Sequence, residues 1–345
     1  MGDDFMITLN EDYSDFERQA KNLAEKLMSG VNSLEVFDYV LTFDEFLSYS
    51  EKKIEDVTQN EVLDSFFWEV SSRYSANFET NFKENLLYHQ PFLNTLDGTI
   101  KDLIRYVERK FHFLRYDEYL DFSGNKDLQL LNAFFREEEP ILKDIFDDMQ
   151  KHKRIYYEKE ESDPFCIYNY YEDIPSIFLH PRRKYTRTLE DLSDLVHELG
   201  HVKTGMEINE QDPEKALRHG GESLYQEVMS YYYEYKFLEF LIGNDIQTAE
   251  AKDVIAENLY ALKGSFHNCK VFRKKHINYD NLFENIQYCY GPVLAYYLVD
   301  HPNLLESFSK IQYDPFHHEQ LENIGFTPQV ASSIMKSKII TYFRR

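Results

Sequence analysis

The stretch His197-Glu198-Leu199-Gly200-His201 constrains this chain more than any other. Two histidines at i and i+4 leave one face of a helix about one turn apart. Both imidazoles then reach one zinc ion, at about 2.0–2.1 Å each. The glutamate between them faces the attacking water and can take its proton. The spacing works only on a helix, and the neighbouring residues supply one. Thr188 reads as an N-cap with Asp191 at the third helical position, where Glu or Gln is usual. Leu189, Leu192, Leu195, Val196 and Leu199 then form an apolar stripe, and Gly205 reads as the stop.

A catalytic zinc takes three protein ligands and leaves a fourth place for water. The stretch from Glu222 to Glu234 reads as a second helix that runs on through Leu238 and Phe240. Glu227, Ser230 and Glu234 lie at i, i+3 and i+7 and share one face. One acid can bind the metal while the other holds a ligand histidine by its second nitrogen. Spacing alone admits either Glu227 or Glu222 as the third ligand.

Glu227-x-x-Ser230-x-x-x-Glu234 resembles the signature of oligoendopeptidase F and its thimet oligopeptidase relatives. Phe165-Cys166, then Pro175-Ser176-Ile177 through His180, then Thr188 through His201, follow the same family's order and spacing. The resemblance spans about residues 150–300. It implies a mainly α, multi-helical, zincin-like catalytic domain with a small β-sheet beside a substrate groove. It also implies one zinc per chain, with Glu227 as third ligand and Glu234 as the acid that orients a ligand histidine. Short unfolded peptides are the implied substrates. Ile174–His180 is the implied strand at the cleft edge, pairing with the peptide by β-addition.

The same resemblance extends to Gln287-Tyr288-Cys289-Tyr290-Gly291-Pro292, which is similar to the segment that stabilises the oxyanion in that family. Tyr288 is the favoured donor, with Tyr279, Tyr290 and His276 as partners. Here the chain departs from the family: Asn278 stands where a His is expected, and Ile286 where the family has a third Tyr. The chain is also shorter than typical members, with the missing helices expected in its N-terminal half. The expected division is 1–150, a helical region forming part of the cleft wall, and 151–345, the catalytic domain.

Two alternatives stand beside a peptide-hydrolysing zinc enzyme. One is a regulatory peptidase of the ImmA type, which shares the HExxH helix and a downstream acid but cuts one specific protein. The other is a catalytically weak, zinc-containing protein that captures peptides without cutting them. The intact Glu198 argues against the latter, and the displaced His argues for it.

Composition narrows the partners. The net charge of −23 argues against nucleic-acid binding, because phosphates would be repelled. It favours cationic peptides, though acidic surfaces more often serve solubility. Tyr and Phe, at 27 each, are read as core and cleft packing. The opening Met1-Gly-Asp-Asp-Phe lacks the regions of a secretory signal, and no run of 18 apolar residues exists, so a cytoplasmic chain without a membrane span is expected. Cys166, Cys269 and Cys289 show no paired spacing and read as free thiols. Cys166 is a candidate fourth ligand or reactive thiol, with a small buried side chain as the plainer reading.

Helical patterns are expected over 12–29, 34–50, 60–90, Thr99–Tyr119 and Leu128–Gln150, with Pro140 a break or kink. Asn94–Gly98 and Phe122–Lys126 read as turn and loop. The mixed-charge run 151–163 is the expected boundary, with a short strand entering the catalytic part. Gly205–Gly221 reads as a loop and candidate lid, carrying His219. Further helices are expected over Val254–Lys263, stopped by Gly264, and from Pro328 to the end. His317-His318 reads as no more than an adventitious metal contact.

Overall fold

The computed structural model describes residues 89–114, 126–157, 163–169, 174–180, 188–211, 224–272, 279–310 and 318–344, together with Ser14 and Arg18. The helices expected over 12–29 and 34–50, and that over 60–90 up to residue 88, fall outside these, apart from Ser14 and Arg18, which are helical. So do the loop 122–125, the 212–223 segment with His219 and Glu222, and His276 with Asn278.

The described residues are mainly α-helical, with a small three-stranded sheet among them. Helix α1 covers residues 89–110. It absorbs Asn94–Gly98, which is therefore no turn. Leu93, Leu96, Ile100, Leu103, Ile104 and Val107 recur at helical spacing and are all buried, so tertiary packing overrides the local turn signal. Gly98 costs little there, because nothing lies within 4 Å of its open Cβ position.

Helices α2 (Lys126–Glu137) and α3 (Pro140–Lys151) are the expected single pattern cut in two. Pro140 has no N–H to donate, so it opens the second helix instead of continuing the first. Glu138 and Glu139 at the break both pair with Lys236, at 3.5 and 2.6 Å.

Strands β1 (Ile155–Tyr157), β2 (Phe165–Asn169) and β3 (Ile174–Leu179) form a sheet in the order β1-β3-β2. β1 runs parallel to β3, and β2 antiparallel. Phe178 lies opposite both Tyr156 and Phe165 and stacks on each ring, at 4.9 and 4.7 Å between centroids. The strand expected over Ile174–His180 exists, but it is the middle strand. β2 pairs along Ile174–Phe178 on one edge and β1 along Ile177–Leu179 on the other, which leaves only the Ile174–Ser176 part of that second edge unclaimed by a described strand.

The long helices follow: α4 (Leu189–Gln211), α5 (Leu224–Gly243), α6 (Thr248–Phe272) and α7 (Tyr279–Asp300). Thr188 and Asp191 cap α4 reciprocally. The Thr188 N–H donates to Asp191 Oδ2 at 2.6 Å, and the Asp191 N–H donates to Thr188 Oγ1 at 3.3 Å. Gly205 does not stop α4; it is there because Tyr168 of β2 lies on it, 2.6 Å from where a Cβ would stand. Gly264 likewise sits inside α6, since Phe266 and Cys269 carry the buried face past it. α5 is buried around most of its circumference, between α4 on one side and α7 on the other. Short helices α8 (Leu305–Ser309) and α9 (His318–Asn323) lead to α10 (Pro328–Arg344).

Buried apolar side chains form one cluster that runs across residue 150. Phe134 of α2 meets Phe237 of α5 edge-on at 5.2 Å. Phe92 of α1 stacks on Tyr290 of α7 at 3.7 Å. Among the described residues no helix is long and apolar enough to cross a membrane.

Candidate metal centre

The site forms where α4 and α5 touch. Gly200, inside HExxH, meets Ser230 so closely that a Cβ there would stand 2.7 Å from the Ser230 Cα. Ser230 turns its own hydroxyl back to the Gln226 carbonyl, at 2.9 Å. Its service to the site is its small size. With Gly and Ser at the crossing, the two backbones approach until the acids of α5 reach the histidines of α4.

His197, His201 and Glu227 each offer a ligand atom there, and the three atoms lie within 4.8 Å of one another. His201 Nε2 and Glu227 Oε1 are 3.7 Å apart. That is too long for a hydrogen bond, and close to the spacing of about 3.4 Å between two ligands of a tetrahedral zinc. His197 Nδ1 bonds Glu234 Oε2 at 3.0 Å, which leaves Nε2 for a cation. Glu234 is held in turn by Ser193 Oγ at 3.2 Å and Asn258 Nδ2 at 2.6 Å, both donating to its Oε1. Glu198 is 4% exposed, and its Oε2 is buried without a hydrogen-bond partner.

Burial and crowding of like charges shape the electrostatics of the cluster. Burial pushes Glu198 up to about 7; Glu227 and Glu234 add to this and His197 opposes it. Burial drives His201 well below the ordinary imidazole range, with His197 in support, so His201 is neutral and ready to ligate. Burial also pulls on His197, but the bond and charge of Glu234, with Glu198 and Glu227, hold it up at about 9.

A cavity of about 470 Å³ opens over these groups. β2 and the residues before it form one wall, from Asp163 to Tyr168; Asn258, Ala261, Leu262 and Ser265 of α6 form another. Tyr288 and Pro292 of α7 complete it. Pro292 has no N–H for the Tyr288 carbonyl, so the helical ladder is interrupted at the residue that faces the site. The chain matches no family model, no curated protein and no solved structure. The site therefore stands on its own geometry.

That geometry sorts the expected residues. His197, Glu198, His201, Glu227, Glu234 and Tyr288 come together. Tyr290 does not: it points the other way, stacked on Phe92, with its hydroxyl 3.1 Å from His89 Nδ1. Tyr279 opens α7, about 13 Å along the helix axis from Tyr288; its side chain, like His276 and Glu222, lies outside the described residues. Cys166 lines the cavity from β2 but is no member of the convergent ligand set.

Four residues of the site escape sequence reasoning. Ser193 and Asn258 buttress Glu234. Tyr231 lines the cavity and sets its ring edge-on against His197, 4.7 Å between centroids. Asp194 lines it one turn before Glu198. Helical spacing from His197 and Glu227 could have flagged Ser193, Asp194 and Tyr231. Nothing local marks Asn258.

Proposed function

We propose that this chain is a zinc-dependent peptidase of zincin-like build, with His197, His201 and Glu227 as metal ligands. One observation carries the reading: Glu198, between the two histidines of that convergent set, lines the same cavity with a carboxylate oxygen that is buried and unbonded. An apolar side chain would be cheaper there, unless a proton must be moved.

When bound, the zinc ion supplies Lewis acidity and makes water nucleophilic near neutral pH. Glu198 accepts the proton of the attacking water and returns it to the leaving amine. Glu234, anchored by Ser193 and Asn258, fixes the tautomer and the ring plane of His197. Tyr288 donates its hydroxyl to the oxygen that gains charge during attack. The cavity walls from β2 and α6 hold the peptide and exclude water. A cavity of this size takes an unfolded segment of a few residues and excludes a folded domain.

The test uses the full chain loaded with zinc and a library of fluorogenic peptides. Turnover is expected with zinc and lost with chelator. Glu198→Gln should keep zinc and fold and lose turnover, because the amide preserves shape and takes no proton. Turnover near wild type in that variant, or none in the zinc-loaded wild type, overturns the mechanism.

A further inference from the structure

Asp194 is a partly buried carboxyl group on the cavity wall, and the one cation acting on it among the described residues is the imidazole of His197, a turn further on. It stands three residues before His197 and four before Glu198, so all three share one face of α4 a turn apart. Two of the other acids there have defined neighbours: Glu234 accepts from His197, Ser193 and Asn258, and Glu227 faces His201. Asp194 has neither hydrogen bond nor ion pair to a described residue. Burial pushes its carboxyl well up, and Glu234, Asp191 and Glu198 add to this against His197. A carboxylate so placed is costly unless something positive meets it.

Beyond that imidazole the cavity as a whole is acidic. Five carboxylates line it (Asp163, Asp194, Glu198, Glu227 and Glu234), and among the described residues no lysine or arginine does. A divalent ion offsets two of the five. Glu198, 4% exposed on the same wall, keeps a buried carboxylate oxygen without a hydrogen-bond partner, a second mark of a cavity built for a ligand.

We propose that Asp194 forms the anionic wall of a subsite for an organic cation of the substrate, beside the bond that is cut. The cation is a lysine or arginine side chain or a free peptide amino terminus; all three offer charge and N–H donors. The helical turn between Asp194 and Glu198 is about 6 Å, which places the cationic group within about two residues of the cut. This inference rests on the peptidase reading for its substrate class.

The experiment compares matched peptides on the zinc-loaded full chain: lysine against norleucine, arginine against citrulline, and free against acetylated amino terminus. The wild type should favour at least one cationic member by about tenfold or more in kcat/KM, less so at high salt. Asp194→Asn should bring that ratio to about one, and Asp194→Glu should keep it. The pair that responds identifies the source of the cation. Equal rates across all pairs in an active wild type overturn the inference, as does a preference that survives Asp194→Asn. Zinc content and thermal unfolding check that the variant folds, with Asp194→Ser as a second neutral variant. If the wild type cuts nothing, the peptidase reading fails alone, and the same pairs are read by fluorescence anisotropy. Tighter binding of the cationic member, lost in Asp194→Asn, then supports the subsite; equal or absent binding overturns it.

Discussion

Gly200→Ala and Gly264→Ala are the same substitution in two helices, and the structure gives them opposite signs. In either helix alanine should gain about 0.5–1 kcal/mol over glycine from backbone entropy. At Gly264 nothing lies within 4 Å of the new Cβ, so that gain should appear undiluted. At Gly200 the new Cβ stands 2.7 Å from the Ser230 Cα, against an ordinary carbon contact of about 3.5–4.0 Å. The neighbouring atom is backbone, so α4 and α5 must part by about 1 Å. Overpacking of this kind costs about 1–3 kcal/mol, for a net loss of about 0–2.5 kcal/mol. The larger effect falls on the metal. Ligand distances tolerate about 0.2 Å, and Glu227 and Glu234 both ride on the helix that moves. Zinc affinity should fall about tenfold or more, removing about 1.4 kcal/mol of zinc-dependent stabilisation. Thermal unfolding of both variants, with zinc and with chelator, measures all of this. Gly264→Ala should melt higher in both conditions, and Gly200→Ala should lose most of the zinc-dependent shift. A Gly200→Ala protein that melts higher and keeps its full zinc shift would refute the close crossing as the device that assembles the site.

Glu227→Ala should bind much less zinc by elemental analysis; normal zinc there, with loss in Glu222→Ala, would move the third ligand to Glu222. Zinc uptake at about pH 7.5 should release about one proton, because the metal-free His197 is held up at about 9 and must lose its proton to ligate. Affinity should therefore climb with pH and level off above about 9, and calorimetry in buffers of different ionisation heat reads the proton directly. Tyr288→Phe should lower kcat by about 10²–10³ with KM and zinc content little changed. Tyr290→Phe should leave kcat alone and cost about 1 kcal/mol of stability through the lost His89 bond.

The parts of the site that rest on one helix were legible in the sequence, and the parts that rest on contacts between helices were not. His197 and His201 need only the period of α4, and the Thr188–Asp191 cap that starts it is written within four residues. The glycines misled because glycine means two things. A local reading takes Gly205 and Gly264 as stops, whereas Gly205 is small because Tyr168 lies on it, and Gly264 simply sits on an open face. The place of Ile174–Leu179 in the sheet was hidden for a similar reason. A run of Ile, Phe and Leu reads as a strand, but whether it lies at the edge depends on which neighbours claim its hydrogen bonds; β2 claims one side and β1 the Ile177–Leu179 part of the other. The tyrosines make the point most sharply. Tyr288 and Tyr290 are two residues apart, so on a helix they diverge by about 200°, and at most one of them faces the metal. Composition treats them alike. The choice is made by Phe92 and His89, some two hundred residues earlier, which claim Tyr290 for the core and leave Tyr288 facing the cavity.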